Sequence, residues 1–420
     1  MNVWPFHDSD YTIFDSMRDS VRFAERTLIP YRNHLCCKSS FVTPAGRIMH
    51  WHEFGDLEGP GWAANAVGGA YELHWYAEYA GDRDLARKAL LLLDHVLEDG
   101  FVDHETGFIT GYRCTRKDRL YLNYLRNNDW FCAGSMAKIG YQLLVFADRL
   151  GDDARAAAMR RIATRMAAWI HAHIKPLPNG WYPKRTTRYL LPYRRHPWGM
   201  DDPVFDCSGD GLFTVQLMAG LTERGLADHR DEIRQRIEAF MGRGGMFGSI
   251  NHDTRDKHEN VAYAVAFRVL RAAANLLGDE AIRRFAYDKC LAGLDRFKMR
   301  EDRHGCRTKG LLYMEKSWDT AYMWENAEAA LAYVEAYEET RREPFRDEAF
   351  TILQAISKHH HGPYGFLTEG VDWNNAVKLH KHHFFHARYG DIKYTEPLLN
   401  NLHVAEPTLH LARLCPELKG

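Results

Sequence analysis

What most constrains this chain is a recurring unit: an apolar stretch with helical periodicity, a short break often written Gly-Asp, and an amphipathic stretch rich in Ala, Arg and Leu. The breaks stand at Gly81-Asp82, Gly151-Asp152, Gly225 and Gly278-Asp279, with a weaker one at Thr340-Arg341. Gly accepts the left-handed backbone that ends one helix, and Asp caps the next by accepting hydrogen bonds from its exposed N–H groups. Ahead of the breaks the spacing predicts helices over 62–80, 130–150, 208–224, 261–277 and 321–340; after them it predicts helices over 83–98, 153–173, 229–241, 280–297 and 344–360. Two more helices, 11–27 and 402–414, lack such a neighbour, and pairing them with each other completes six pairs. A chain that pairs its own ends closes a ring, whereas an open stack needs polar capping repeats. The expected fold is therefore an all-α (α/α)6 toroid in which residues 1–420 form one domain, with 402–414 and the five helices ahead of the breaks on the inside.

The segments leading into the inner helices are long: 34–59, 100–127, 174–205, 242–257, 299–317 and 361–400. Loops much beyond about 12–15 residues in a compact domain are usually functional, and all six fall on one face of the predicted ring. The residues at their ends read Pro60-Gly61-Trp62, Asn128-Asp129-Trp130, Asp206-Cys207-Ser208, His258-Glu259-Asn260, Trp318-Asp319 and Asn401-Leu402-His403. Any one Asn, Asp or Ser there also reads as an ordinary N-cap. Caps do not require Trp62, Trp130 and Trp318 beside them, and an indole stacks well on a sugar ring whose hydroxyls neighbouring carboxylates take. The loops add Trp51 within His50-Trp51-His52-Glu53, Arg113, Arg116, Tyr121, Arg194-Arg195-His196-Pro197-Trp198 and His252-Asp253. Guanidinium pairs a carboxylate in bidentate geometry, so such arginines favour an anionic sugar, for instance a uronic acid.

Two families are similar at this level. Asn128-Asp129-Trp130-Phe131 with Gly134, then an apolar helix and Gly151-Asp152, resembles the HD-x-GF helix start of unsaturated glucuronyl hydrolases. Phe205-Asp206-Cys207-Ser208-Gly209-Asp210-Gly211-Leu212 resembles their second aspartate helix, and Gly59-Pro60-Gly61-Trp62 falls where that family places an aromatic-lined helix start. That family's W-x-RGQ-x-W segment is not matched by Asp256-Lys257-His258-Glu259-Asn260-Val261-Ala262. Asn400-Asn401-Leu402-His403-Val404-Ala405-Glu406 is in turn similar to the N-x-HLHVLE segment of N-acylglucosamine 2-epimerases and cellobiose 2-epimerases, which carry it mid-chain. His258-Glu259 before an apolar helix resembles their catalytic histidine helix. Both families have the (α/α)6 ring.

The hydrolase resemblance implies Asp206 as the proton-transferring carboxyl and Asp129 as its positioning partner, with His252 assisting; that chemistry needs a carboxyl pKa raised by burial or by a like charge. The epimerase resemblance implies two imidazoles, His258 and His403, moving a proton at the carbon beside the carbonyl of a ring-opened sugar. A polysaccharide lyase with Tyr121, Tyr322 or His252 as base is a third chemistry of this ring. In each, Trp62, Trp130, Trp318, Asp319, Glu259, Arg113 and Trp51 are the candidates for holding the sugar. Outside the enzymes, a helical ring also serves as a protein-binding scaffold.

Other classes are disfavoured. Lys+Arg 55 against Asp+Glu 56 leaves a formal net charge of -1, without the broad basic field of a non-specific nucleic-acid binder. The N-terminus has no basic segment followed by an apolar one, and no stretch of about 18 uninterrupted apolar residues occurs, so the expectation is a cytoplasmic protein without a membrane partner. The eight cysteines, Cys36, Cys37, Cys114, Cys132, Cys207, Cys290, Cys306 and Cys415, lack C-x-x-C spacing and read as reduced, structural thiols. His380, His382, His383 and His386 fall in a long loop, with His359, His360 and His361 upstream; without an HExxH helix they read as solvated or structural. Gly68-Gly69, Gly244-Gly245 and Gly209-Asp210-Gly211 follow no expected strand, so neither a dinucleotide fold nor a phosphate loop is supported. The reading is an enzyme acting on a small saccharide or oligosaccharide, most simply a glycoside hydrolase, without cofactor or catalytic metal.

Overall fold

The computed structural model describes residues 11–49, 56–61, 65–125, 129–197, 199–318, 320–362, 365–374 and 389–419. Twelve α-helices run through these residues. Short breaks join α2 (Ala66–Ala80) to α3 (Arg83–Glu98), α4 (Ala133–Leu150) to α5 (Ala154–His173), α6 (Gly211–Glu223) to α7 (Arg230–Gly242), α8 (Asn260–Leu277) to α9 (Glu280–Phe285), and α10 (Met323–Thr340) to α11 (Glu343–Ser357). The remaining two, α1 (Ile13–Glu25) and α12 (Ala405–Leu414), stand at opposite ends of the sequence.

The breaks behave as their chemistry requires. Gly81, Gly151, Gly225 and Gly278 have φ of 69, 60, 65 and 63°, where L side chains are strained. Asp82, Asp153 and Asp279 accept hydrogen bonds from backbone N–H groups of the following helix. At the fifth break Arg341 adopts the left-handed conformation, φ 56°, without a glycine's freedom.

Packing divides the chain into two compact units: Met1–Glu58, Gly68–His95 and Leu294–Gly420 form the first, Gly59–Val67 and Val96–Gly293 the second. In the second, α4 packs on α5 and α6, α6 on α7 and α8, and α8 on α9. Helix α6 is buried continuously from Gly211 to Thr222, as its all-round apolar sequence demands, while α7 buries only Ile233, Ile237 and Phe240. In the first unit α10, buried continuously from Met323 to Val334, packs on α11 and α12. There α1 packs against α12 and α11, so the terminal helices pair as expected.

Several helix starts differ from the sequence expectation. Trp130–Phe131 and Thr320–Tyr322 are short strands, antiparallel to Thr186–Thr187 and Gly370–Asp372, so α4 and α10 begin only after them. Aromatic and β-branched residues at these points give their backbone groups to a neighbouring strand rather than to a helix. The helix expected over 280–297 remains α-helical only to Phe285; a π-helical turn, Ala286–Leu291, and a 3₁₀ turn, Ala292–Phe297, follow. A Cβ at Gly293 would stand 2.4 Å from the Tyr263 ring, so the segment is pressed against α8 there. Among the described residues no helix is long and apolar enough to cross a membrane.

Candidate active site

In the second unit buried polar groups concentrate around the starts of α4 and α6. Asp210, immediately before α6, accepts hydrogen bonds at 3.0 Å from the Gly134 backbone N–H and at 3.0 Å from the Ser135 hydroxyl, both in the first turn of α4. Burial pushes its carboxyl up to about 6, against the opposing pull of Ser135, Lys184, Gly134 and Arg185. Ser135 Oγ also lies 3.2 Å from Nε2 of His252. Burial, reinforced by the Arg185 and Lys184 charges, holds that imidazole well below its usual pKa, so it is neutral near pH 7. The result is a continuous polar chain, Asp210–Ser135–His252.

Aromatic rings wall this chain. His252 stacks on Tyr124, with centroids 5.7 Å apart and planes 14° apart, and meets Trp130 edge-on at 5.5 Å. Trp130 stacks in turn with half-buried Tyr193 at 6.5 Å and carries the Arg185 guanidinium over its ring at 5.2 Å. Arg185, itself buried, donates to the Asp202 carboxylate and to the His252 carbonyl. Lys184 Nζ, also buried, donates to the Thr254 carbonyl at 3.0 Å. Glu259 is buried too, accepting from the Ile250 N–H at 2.5 Å and the Asn251 side-chain amide at 3.0 Å. Three residues singled out by sequence, Trp130, His252 and Glu259, are thus buried in this unit, His252 and Trp130 in mutual contact.

Asp129, Asp206 and His258, by contrast, lie at the surface, whereas Arg113 is buried. Asp129 is exposed and pairs with Arg188 at 3.3 Å. Asp206 is exposed, its carbonyl accepting a hydrogen bond from Asn179 at 2.8 Å. His258 is exposed with Nδ1 2.8 Å from the Tyr263 hydroxyl. The arginines offered for an anionic sugar are engaged within the protein: Arg113 with Asp118 at 3.3 Å, Arg195 with Asp201 at 3.2 Å, and Arg194 over the Phe205 ring at 4.5 Å.

The first unit holds His403 and Trp318. His403, just before α12, is buried with Nδ1 2.6 Å from Glu72 of α2 and Nε2 2.7 Å from Glu328 of α10. Burial alone would discharge the ring, but the two carboxylates outweigh it and raise the pKa to about 9. Both ring nitrogens are committed. Trp318 is buried and donates its indole N–H to the Tyr322 hydroxyl at 2.9 Å. Trp51, Trp62, Asp319 and the histidines at 380, 382, 383 and 386 lie outside the described residues.

Asp210, Ser135 and Tyr124 were not among the residues singled out by sequence. The available signal was the crowding of small residues about Asp210. A Cβ on Gly209 would stand 2.8 Å from Ala262, one on Gly211 2.8 Å from Trp181, and one on Gly134 1.9 Å from the Asp210 carbonyl oxygen. Glycine is required at such points because backbone and rings approach too closely for a side chain.

The sequence matches no family model and no curated protein. The structure does have solved counterparts. A cellobiose 2-epimerase from Bacillus thermoamylovorans is 13% identical with a TM-score of 0.66, over 95% of this chain and 98% of that one. A D-mannose isomerase is 11% identical with a TM-score of 0.61, over 99% and 100%. A "possible member" of glycoside hydrolase family 105 from Klebsiella pneumoniae is 12% identical with a TM-score of 0.54, over 99% of each chain. These are (α/α)6-barrel proteins, and this chain has their all-α fold, with twelve helices among the described residues.

Proposed function

We propose that this chain is a carbohydrate-active enzyme using general acid–base catalysis, and within that class a glycoside hydrolase. The observation that carries the reading is the Asp210–Ser135–His252 chain, a carboxyl held near neutrality beside a neutral imidazole. Hydrolysis needs one group that gives a proton to the leaving oxygen and takes one from water, and such a group works best when its pKa lies near the working pH. With Asp210 ionised, a proton taken by His252 passes through the Ser135 hydroxyl to the carboxyl; the reverse shift returns it. Tyr193, half-buried and backed by the buried Trp130 ring, offers the apolar face that a sugar ring requires. On this reading Asp210, not the exposed Asp206 four residues earlier, holds the transferable proton.

A second reading, a sugar epimerase or isomerase, is favoured by the higher TM-scores of 0.66 and 0.61 to proteins so described. The pair His258 and His403 suits it less, because both nitrogens of His403 are bound to carboxylates. His252 would then be the base that moves the proton beside the carbonyl.

One assay separates them: incubation with saturated and unsaturated uronyl oligosaccharides and with free aldoses, following new reducing ends and epimer formation. The expected result is new reducing ends from an oligosaccharide, with turnover falling ~10²–10⁴-fold in Asp210→Asn, the loss typical of a removed acid or base. Asp206→Asn should change turnover far less. Epimer without new reducing ends would establish the second reading, and an Asp206→Asn loss exceeding that of Asp210→Asn would return the proton transfer to Asp206.

A further inference from the structure

Away from these residues, the first unit brings together three side chains of different chemistry at one fully buried point. Cys36 lies on the strand His34–Cys37, Glu58 on the strand Leu57–Glu58, and His95 in the last turn of α3. Each is 0% exposed. One donor atom from each, thiol sulfur, carboxylate oxygen and imidazole nitrogen, lies within 4.8 Å of the other two, and His95 Nε2 is 3.0 Å from Glu58 Oε1. The Tyr31 ring stands edge-on to His95 with centroids 5.0 Å apart.

Burying an ionised carboxylate is costly unless its charge is matched, and a divalent cation held by all three groups matches it. Thiolate and carboxylate together supply two negative charges and a neutral imidazole supplies none, so one M²⁺ leaves the site with zero net charge. Bonds of ~2.3 Å to sulfur and ~2.0–2.2 Å to nitrogen and oxygen place tetrahedral ligand atoms roughly 3.3–3.7 Å apart, so the His95–Glu58 pair at 3.0 Å opens slightly and the sulfur, within 4.8 Å of both, draws in. Mixed sulfur, nitrogen and oxygen ligation is that of zinc and its borderline neighbours rather than of calcium or magnesium.

We propose that Cys36, Glu58 and His95 form a structural site for a zinc-class divalent ion, tying the His34–Cys37 strand to α3. The fourth position is filled by a water or by the second oxygen of Glu58. Binding converts the Cys36 thiol to a metal-bound thiolate and releases its proton to solvent, so affinity rises with pH. The ligands are 22 and 37 residues apart in sequence, from Cys36 to Glu58 and from Glu58 to His95, so no short-spaced motif announces them.

The test is titration of chelator-treated full-length protein with Co²⁺. The expected result is one equivalent bound, with the near-ultraviolet thiolate-to-cobalt band and strong visible bands of a four-coordinate ion, displaced by Zn²⁺, and a higher melting temperature with Zn²⁺ than with chelator. Cys36→Ser should abolish the thiolate band, and His95→Gln should weaken binding at least tenfold. Cys37→Ser should retain both, because the Cys37 thiol bonds the Ser39 carbonyl at 3.1 Å instead. If Cys36→Ser fails to fold, the wild-type titration still decides. Absence of a thiolate band with excess Co²⁺, or a band that survives in folded Cys36→Ser, overturns the proposal.

Discussion

At His403 two buried carboxylates converge on one imidazole, and the raised pKa has a measurable consequence. The folded-state value of about 9 lies above the ~6.5 of an unfolded chain. The protonated ring therefore stabilises the fold fully below about pH 6.5, and this contribution is lost as pH rises through about 9. We expect the melting temperature to fall between pH 6.5 and 9 in the wild type, whereas in His403→Gln it should start lower and stay nearly flat over that window. Removing the ring takes from Glu72 and Glu328 the charged partner that bonds both, a loss typically of ~3–5 kcal/mol for a broken buried pair. A wild-type profile with no slope in this window would show that His403 is not the charged member of the triad. Sequence placed His403 among six similar loop ends, but nothing local distinguishes it, since Glu72 and Glu328 come from two other helices.

At the scale of elements, the helix pairs are legible because Gly and Asp enforce the breaks locally. The helix starts are less so, because Trp130–Phe131 and Thr320–Tyr322 find strand partners about 56 and 50 residues away in sequence. The same holds for the site. Trp130, His252 and Glu259 are recognisable by residue type, whereas Asp129, Asp206 and Asp210 look equivalent until packing buries only the last. Gly134 tests that packing. Ala for Gly within a helix usually stabilises by ~0.5–1 kcal/mol, but here the added Cβ would meet the Asp210 carbonyl oxygen at 1.9 Å and its carboxylate at 2.4 Å. We expect Gly134→Ala to lower stability by about 1–3 kcal/mol, the usual cost of overpacking. Gly242→Ala at the end of α7, where a Cβ meets nothing within 4 Å, should be neutral or stabilising in the same denaturant titration. Equal behaviour of the two variants would mean that α4 and α6 yield easily at their starts.

For the whole molecule, sequence anticipated twelve helices and the pairing of the terminal two, because helix periodicity and an odd helix at each end are properties of the chain alone. Leu402, Val404, Leu409 and Leu411 are all buried at its end. At ~1.5–3 kcal/mol for each large apolar side chain, their loss is comparable with the ~5–15 kcal/mol that holds a typical domain folded. A chain truncated after Asn400 should therefore lose its cooperative thermal transition, read by circular dichroism, and a truncated chain melting like the intact one would show that α12 is dispensable to α1.

The pairing of α1 with α12 also sets a timetable. The polypeptide is made from its N-terminus, and α1 is complete by Glu25, yet the partner on which it packs ends at Leu414. At roughly 5–20 residues per second, synthesis of the intervening chain takes about 20–80 s. Through that interval α1 carries Met17, Val21 and Phe23, all buried in the finished protein, before Phe366, whose ring meets Phe23, and then α12 have been made. The long continuous stretch Val96–Gly293 is finished well before then. Over that interval the hydrophobic stripe of α1 waits on the nascent chain for α12, and transiently exposed apolar surface of this kind is what chaperones cover.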